Sequence, residues 1–262
     1  VASQGVKYIE FYWNWTGLKH FMSYDEARQA INEGIRQGLQ RYGVIARSVP
    51  SIDREDTPEA AVELVEEMIK HPDEYTIGLG IDYRETNHEP ENFWKAFKMA
   101  KEAGFKITIH AGEFGEHWRN VETAVKLLGA DRIDHGYTII DNPELVDEVK
   151  AADIHFAVVP TNSYYLRTLS DKEWAIKHPV RKMVELGLKV FPNSDDPTMH
   201  HISISESWLL MHNWLDFTLP QLRKMLENSI EAAWVTDEQK AVWKKDWLKE
   251  FDRLSSDLPP VN

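Results

Sequence analysis

Three short segments carry the residues best able to do chemistry. His110-Ala111-Gly112-Glu113 sets an imidazole and a carboxyl group within one turn of the end of an apolar β-branched run, with Gly112 letting backbone or ligand come close. Arg132-Ile133-Asp134-His135-Gly136 sets a second histidine at the end of the next such run. Asn193-Ser194-Asp195-Asp196-Pro197 places two adjacent carboxylates after the last run. Neighbouring aspartates repel if both are buried and ionised, and a nearby cation or a proton on one of them relieves that cost. Each feature alone has a bland reading: a packed strand-end histidine, or an Asp-Asp-Pro that only makes a turn or caps a helix. Their order, each at the end of a strand, is what argues for a site.

The elements that must position these residues follow a regular pattern. Seven β-branched or aromatic runs, at 6–12, 44–49, 75–82, 105–110, 132–135, 154–159 and 188–193, alternate with longer amphipathic segments, as parallel βα units do. Thr57 followed by Pro58 predicts a helix N-cap and first helical position, and Gly104 predicts the close of a helix begun near Glu91. After the last run only helices are expected, near 203–215, 219–227 and 237–254. Seven βα units predict a (β/α)8 TIM barrel with its first strand absent, plus C-terminal helices, in one domain over 1–262. A doubly wound open sheet would gather ionisable residues mainly at one switch point, whereas here they recur at successive strand ends.

The bulk properties restrict the function. A chain of 262 residues with a formal net charge of -13 is poorly suited to a nucleic-acid or anionic-membrane partner, which is bound through clustered Lys and Arg. With no cysteine, a disulfide framework and a thiolate zinc site are excluded, so any transition metal must sit on His, Asp or Glu. No signal-peptide pattern or long uncharged apolar run is present, so a cytoplasmic protein is expected.

The ordered set H-A-G-E, R-I-D-H-G and N-S-D-D-P is similar to that of adenosine and adenine deaminases, and the resemblance spans the whole chain. It implies zinc-dependent hydrolysis of a 6-aminopurine such as adenosine or adenine to the 6-oxo product and ammonia. By that resemblance His110 and Asp195 are zinc ligands, Glu113 protonates the purine ring nitrogen, and His135 orients and deprotonates the attacking water. Asp196 positions that water and hydrogen-bonds the purine, and Gly112 lies against the substrate. The chemistry needs such a set because an aromatic amine leaves badly. Zinc lowers the pKa of a bound water toward about 7, and an acid must meanwhile deliver a proton to the ring. Glu113 must therefore hold its proton until it is used, which requires burial or a carboxylate neighbour. His and Asp ligands also suit other divalent metals.

Two departures from the family pattern stand out. The family's first strand carries His-x-His, two zinc ligands on one face of a strand end. This sequence has no His-x-His, and its one close pair, His200-His201, follows the aspartates. The missing strand is expected to precede Val1. The second departure is Gly80-Ile81-Asp82-Tyr83-Arg84-Glu85, which resembles the adenine-using branch, where a glutamate at the position of Glu85 meets the imidazole edge of a free base; a solvated loop charge is the equal alternative.

Trp13, Asn14 and Trp15 could wall a pocket for a flat heterocycle or pack under helices, and Asn162 and Ser163 could reach substrate or cap a turn. His20, His71, His88, His117, His155, His178 and His212 read as ordinary surface or core residues. Trp243 and Trp247, four apart, share a helix face that packing explains best. Two other functions compete: a metal-dependent barrel that hydrolyses an amide or phosphoester, and a non-catalytic barrel that has lost its metal. Glu113 and His135 together argue against the second.

Overall fold

The computed structural model describes residues 1–162, 165 and 168–257. The chain divides into two compact units, residues 1–154 and 155–262. The first unit holds five parallel strands in sequence order: β1 (Tyr8–Trp13), β2 (Ile45–Asp53), β3 (Gly78–Asp82), β4 (Lys106–Ala111) and β5 (Arg132–His135). Between them run α1 (Tyr24–Tyr42), α2 (Pro58–Lys70), α3 (Trp94–Glu102) and α4 (Arg119–Lys126), with α5 (Pro143–Ala151) after β5. The second unit pairs β6 (His155–Val158) in parallel with β7 (Lys189–Pro192). Its described helices are α6 (Asp171–Lys177), α7 (Pro179–Glu185), α8 (Ile204–Asn213), α9 (Leu219–Ala232) and α10 (Asp237–Ser256). The fold is α/β and TIM-barrel-like, as expected.

Local chemistry explains the boundaries. Thr57 accepts the Ala60 N–H at 3.2 Å and Pro58 opens α2, as predicted. Ser23, Ser170 and Ser203 each close a capping box with the glutamate three residues on, at the starts of α1, α6 and α8. Gly104, at φ 88°, follows α3, and a 3-10 turn over Pro90–Phe93 leads into that helix.

Strand β4 shows how the sheet positions a site. Ile107, Ile109 and Ala111 are completely buried on one face, while Thr108 and His110 occupy the other, as a period of two requires. Register then extends that polar face sideways, because in-register neighbours of parallel strands point the same way. Thr108 sits beside Arg132, His110 beside Asp134, Ser51 beside Gly80, and Asp53 beside Asp82.

In the second unit, α9 is tied to β7 by the Asn228 amide donating to the Val190 carbonyl at 2.9 Å. Glu231 collects Lys189, Lys244 and His155 at 3.0, 2.6 and 3.5 Å. Trp243 and Trp247 stack at 4.6 Å with Trp243 buried, so the tryptophan pair is a packing seam.

Candidate active site

In the first unit, His110, Glu113 and His135 come together at the C-terminal ends of β4 and β5. The two imidazoles meet edge to face with centroids 4.7 Å apart, and His135 Nε2 lies 3.7 Å from Glu113 Oε2. All three are buried, His135 to 1% exposure. His135 would face away from Asp134 in a regular strand, but its φ of 66° turns the chain so that both side chains reach the site. Tyr137 packs edge-on against its ring at 5.6 Å.

The H-A-G-E turn is held from three directions. Gly112 has φ 69°, and a Cβ there would stand 2.5 Å from the Thr138 hydroxyl, so this position excludes a side chain. Glu85 is buried to 2% and accepts the Gly112 N–H at 2.7 Å, the Glu113 N–H at 2.8 Å and the Asn120 amide at 2.8 Å. The Arg54 guanidinium, fully buried, donates to the His110 carbonyl at 2.5 Å. Burial lowers the Arg54 pKa, while the Glu85, Glu113 and Asp82 carboxylates oppose that shift.

A polar network continues below His110. Asp134 Oδ2 lies 3.5 Å from His110 Nδ1 and accepts the Thr108 hydroxyl at 2.5 Å and the Tyr12 hydroxyl. Burial alone would raise the Asp134 pKa, but His110, Arg132 and Thr108 outweigh it and hold the carboxyl well below the usual range. Burial and the Asp134 charge together push the Tyr12 phenol far up. Arg132 pairs with Glu10 at 2.7 Å, and Glu10 also takes the Tyr8 hydroxyl at 2.7 Å. Gly80 makes room for the Tyr12 ring, since a Cβ there would fall 2.0 Å from Tyr12 Cε1. Beside this network, Asn14 donates to Asp82 Oδ1 at 2.8 Å and to the Ser51 carbonyl at 3.2 Å. Burial pushes the Asp82 carboxyl up to about 6, against the pull of His110 and Asn14.

In the second unit, Asp195 follows β7 at φ 54°, a backbone turn like that of His135. Asp195, Asp196 and His200 offer ligand atoms within 4.8 Å of one another, a donor set of oxygen and nitrogen. The Asp196 carbonyl takes the His200 N–H at 2.9 Å. The donors of each unit thus fit a divalent metal by type: a buried imidazole with a carboxylate behind it in one, a carboxylate pair with an imidazole in the other.

Trp13 lies on the opposite face of β1 from Tyr12 and stacks on Tyr24 of α1 at 5.4 Å, so it packs under a helix rather than lining the polar face. Trp15 is buried against the same tyrosine, and its indole donates to the Met22 carbonyl. Asn14, not either tryptophan, points to the polar side. Glu85 is neither a solvated charge nor open to solvent; it anchors a loop. Asn162 is fully buried, and Ser163 lies outside the described residues. Sequence reasoning missed Tyr12, Arg54, Asp82 and Asp134. Asp134 lies within Arg132-Ile133-Asp134-His135-Gly136, and its place two residues after Arg132, on the strand beside β4, is the signal that points to it.

Residues 1–246 match the model of the adenosine deaminase family. An amidohydrolase from Burkholderia ambifaria, solved with bound zinc, is 50% identical, with a TM-score of 0.96 over 97% of this chain and 71% of that one. The adenine deaminase of Marinomonas sp. is 28% identical over 94% of this chain and 72% of that protein. The adenosine deaminase of Clostridium botulinum (strain Loch Maree) is 29% identical over 96% and 74%. No described helix is long and apolar enough to cross a membrane.

Proposed function

We propose, from the premise that this chain belongs to the adenosine deaminase family of aminohydrolases, that it hydrolyses the exocyclic amine of a 6-aminopurine, with adenosine and adenine as the leading substrates. The observation that carries this reading is the approach of His135 to Glu113 at 3.7 Å beside His110, all buried at strand ends. His110 and Asp195 would hold a zinc ion, which supplies a water of lowered pKa. His135 orients that water and takes its proton as the oxygen bonds to the ring carbon. Glu113 gives its proton to the adjacent ring nitrogen in the same step, leaving a tetrahedral carbon that bears both hydroxyl and amine. The proton on His135 then passes to the amine, the carbon–nitrogen bond breaks and ammonia leaves. The hydroxyl proton returns to Glu113, so acid and base are both restored. Asp196 positions the water and accepts a hydrogen bond from the purine. Gly112, whose N–H is held by Glu85 at the head of the turn, lies against the heterocycle in this reading.

The test is to incubate zinc-loaded protein with adenine, adenosine and N6-substituted adenines, following ammonia release and exchange of amine for oxygen by mass spectrometry. Glu113→Gln should retain zinc and lose about 10²–10⁴-fold in turnover, the range for a positioned acid. A zinc-loaded protein that turns over no aminopurine, or a fully active Glu113→Gln, sinks the reading; cleavage of an amide or phosphoester instead would move the protein to another barrel hydrolase activity.

A further inference from the structure

We infer that Asp134 is a positioning residue: it captures the His110 imidazole by its Nδ1 edge, so that the ring keeps its proton there and presents Nε2 to a metal. The inference rests on the reading of His110 as a zinc ligand.

Register places the two residues. His110 of β4 and Asp134 of β5 are partners in the parallel ladder, so their side chains leave the same face of adjacent strands, and Oδ2 stands 3.5 Å from Nδ1 with both residues buried. A neutral imidazole has one N–H and one lone pair, and an acceptor beside one nitrogen settles which is which. A carboxylate behind a histidine ligand has this effect in metal sites generally, fixing tautomer and ring orientation and raising ligand basicity.

Asp134 is built to stay in place. The Thr108 hydroxyl donates to it at 2.5 Å, and the Tyr12 hydroxyl donates to the same oxygen from across the sheet. The simpler explanation, that Asp134 exists to neutralise Arg132, is weakened because Arg132 already has Glu10 at 2.7 Å. His110 is restrained on its other sides as well. Arg54 holds its carbonyl at 2.5 Å, and the Tyr12 ring meets its imidazole edge to face at 5.2 Å. A buried carboxylate carries a desolvation penalty that an apolar residue at the same place would avoid, which a positioning role accounts for.

Two measurements decide the matter. In metal-free protein labelled with nitrogen-15, the His110 ring, assigned by the signals lost in His110→Gln, should appear neutral with its proton on Nδ1; a proton on Nε2 overturns the inference. Zinc affinity, measured by competition with a chelator, should fall about 10–100-fold in Asp134→Asn while circular dichroism and the unfolding midpoint stay near wild type. A folded Asp134→Asn that binds zinc within threefold of wild type overturns it. If that variant fails to fold, the wild-type tautomer alone decides. Wild-type protein that binds no zinc refutes the deaminase reading instead, and the tautomer result separates the two failures.

Discussion

The carboxylate of Glu85 accepts the backbone N–H of Glu113 at 2.8 Å across 28 residues of sequence, and with its other oxygen it takes the N–H of Gly112 at 2.7 Å. The loop after β3 thus sets the turn that follows β4. A residue that reads as a substrate contact or a surface charge is, in the fold, what holds the proposed acid in position.

Glu85→Gln turns one of the two acceptors into a donor that faces an N–H. The expected result is a stability loss of about 1–3 kcal/mol and a fall in turnover of more than tenfold, with KM little changed. Denaturant unfolding and steady-state kinetics check this. An unchanged melting midpoint with a selective rise in KM would instead make Glu85 a substrate contact.

Gly80→Ala puts a methyl group 2.0 Å from Tyr12 Cε1. Overpacking of this kind should cost about 1–3 kcal/mol or more, and the cost should largely disappear in a Tyr12→Ala background. A double-mutant cycle by chemical denaturation measures the coupling. Additive effects of the two substitutions would show that the ring does not occupy that space.

Asp82 has a folded-state pKa of about 6 against an ordinary value of 3.8. The fold therefore binds its proton more tightly than the unfolded chain does. The resulting contribution to stability is present below pH 3.8 and is lost as pH rises through 6. Asp82→Asn removes that loss, so the variant should gain on the order of 1–2 kcal/mol at pH 7, allowing for partial exposure, and nothing near pH 3.5. Urea melts of metal-free protein at both pH values test it, and an equal gain at both would point to a cause other than ionisation.

His178 caps α7 by accepting the Val180 N–H at Nδ1, 3.3 Å away, and burial lowers its pKa from 6.5 to about 3. The cap uses the lone pair that a proton would occupy. The unfolded chain protonates below pH 6.5 and the fold resists doing so. The contribution is thus complete above 6.5 and is lost as pH falls toward 3. His178→Asn keeps an oxygen acceptor for the cap without that titration. Its stability relative to wild type should rise by on the order of 1–3 kcal/mol from pH 7 to pH 4. A constant difference across that range would show that His178 does not titrate as described.

Much of this protein is written locally. The alternation in Lys106 to Ala111 sorts the isoleucines from Thr108 and His110, because side chains on a strand must alternate. Thr57 with Pro58, and the serines paired with a glutamate three residues on, place helix starts within single turns. For that reason the βα order, and the location of His110, His135, Asp195 and Asp196 at strand ends, follow from the sequence alone.

What the tertiary structure decided is everything that depends on which strands become neighbours and in what register. Nothing near Glu85 says that it will meet the N–H groups of Gly112 and Glu113. Nothing near Gly80 says that the Tyr12 ring will need its space, and nothing near Trp13 says that it will stack on Tyr24 while Asn14 turns to Asp82. The positive φ of His135 and Asp195, which lets consecutive residues share one side, appears in no pattern of residue types, since the surrounding contacts impose it. A hydrogen bond or ion pair between distant segments forms only when loop lengths and strand register bring the partners within about 3 Å. The sequence therefore determined the kinds of groups available at the strand ends, and the packed sheet determined which of them touch.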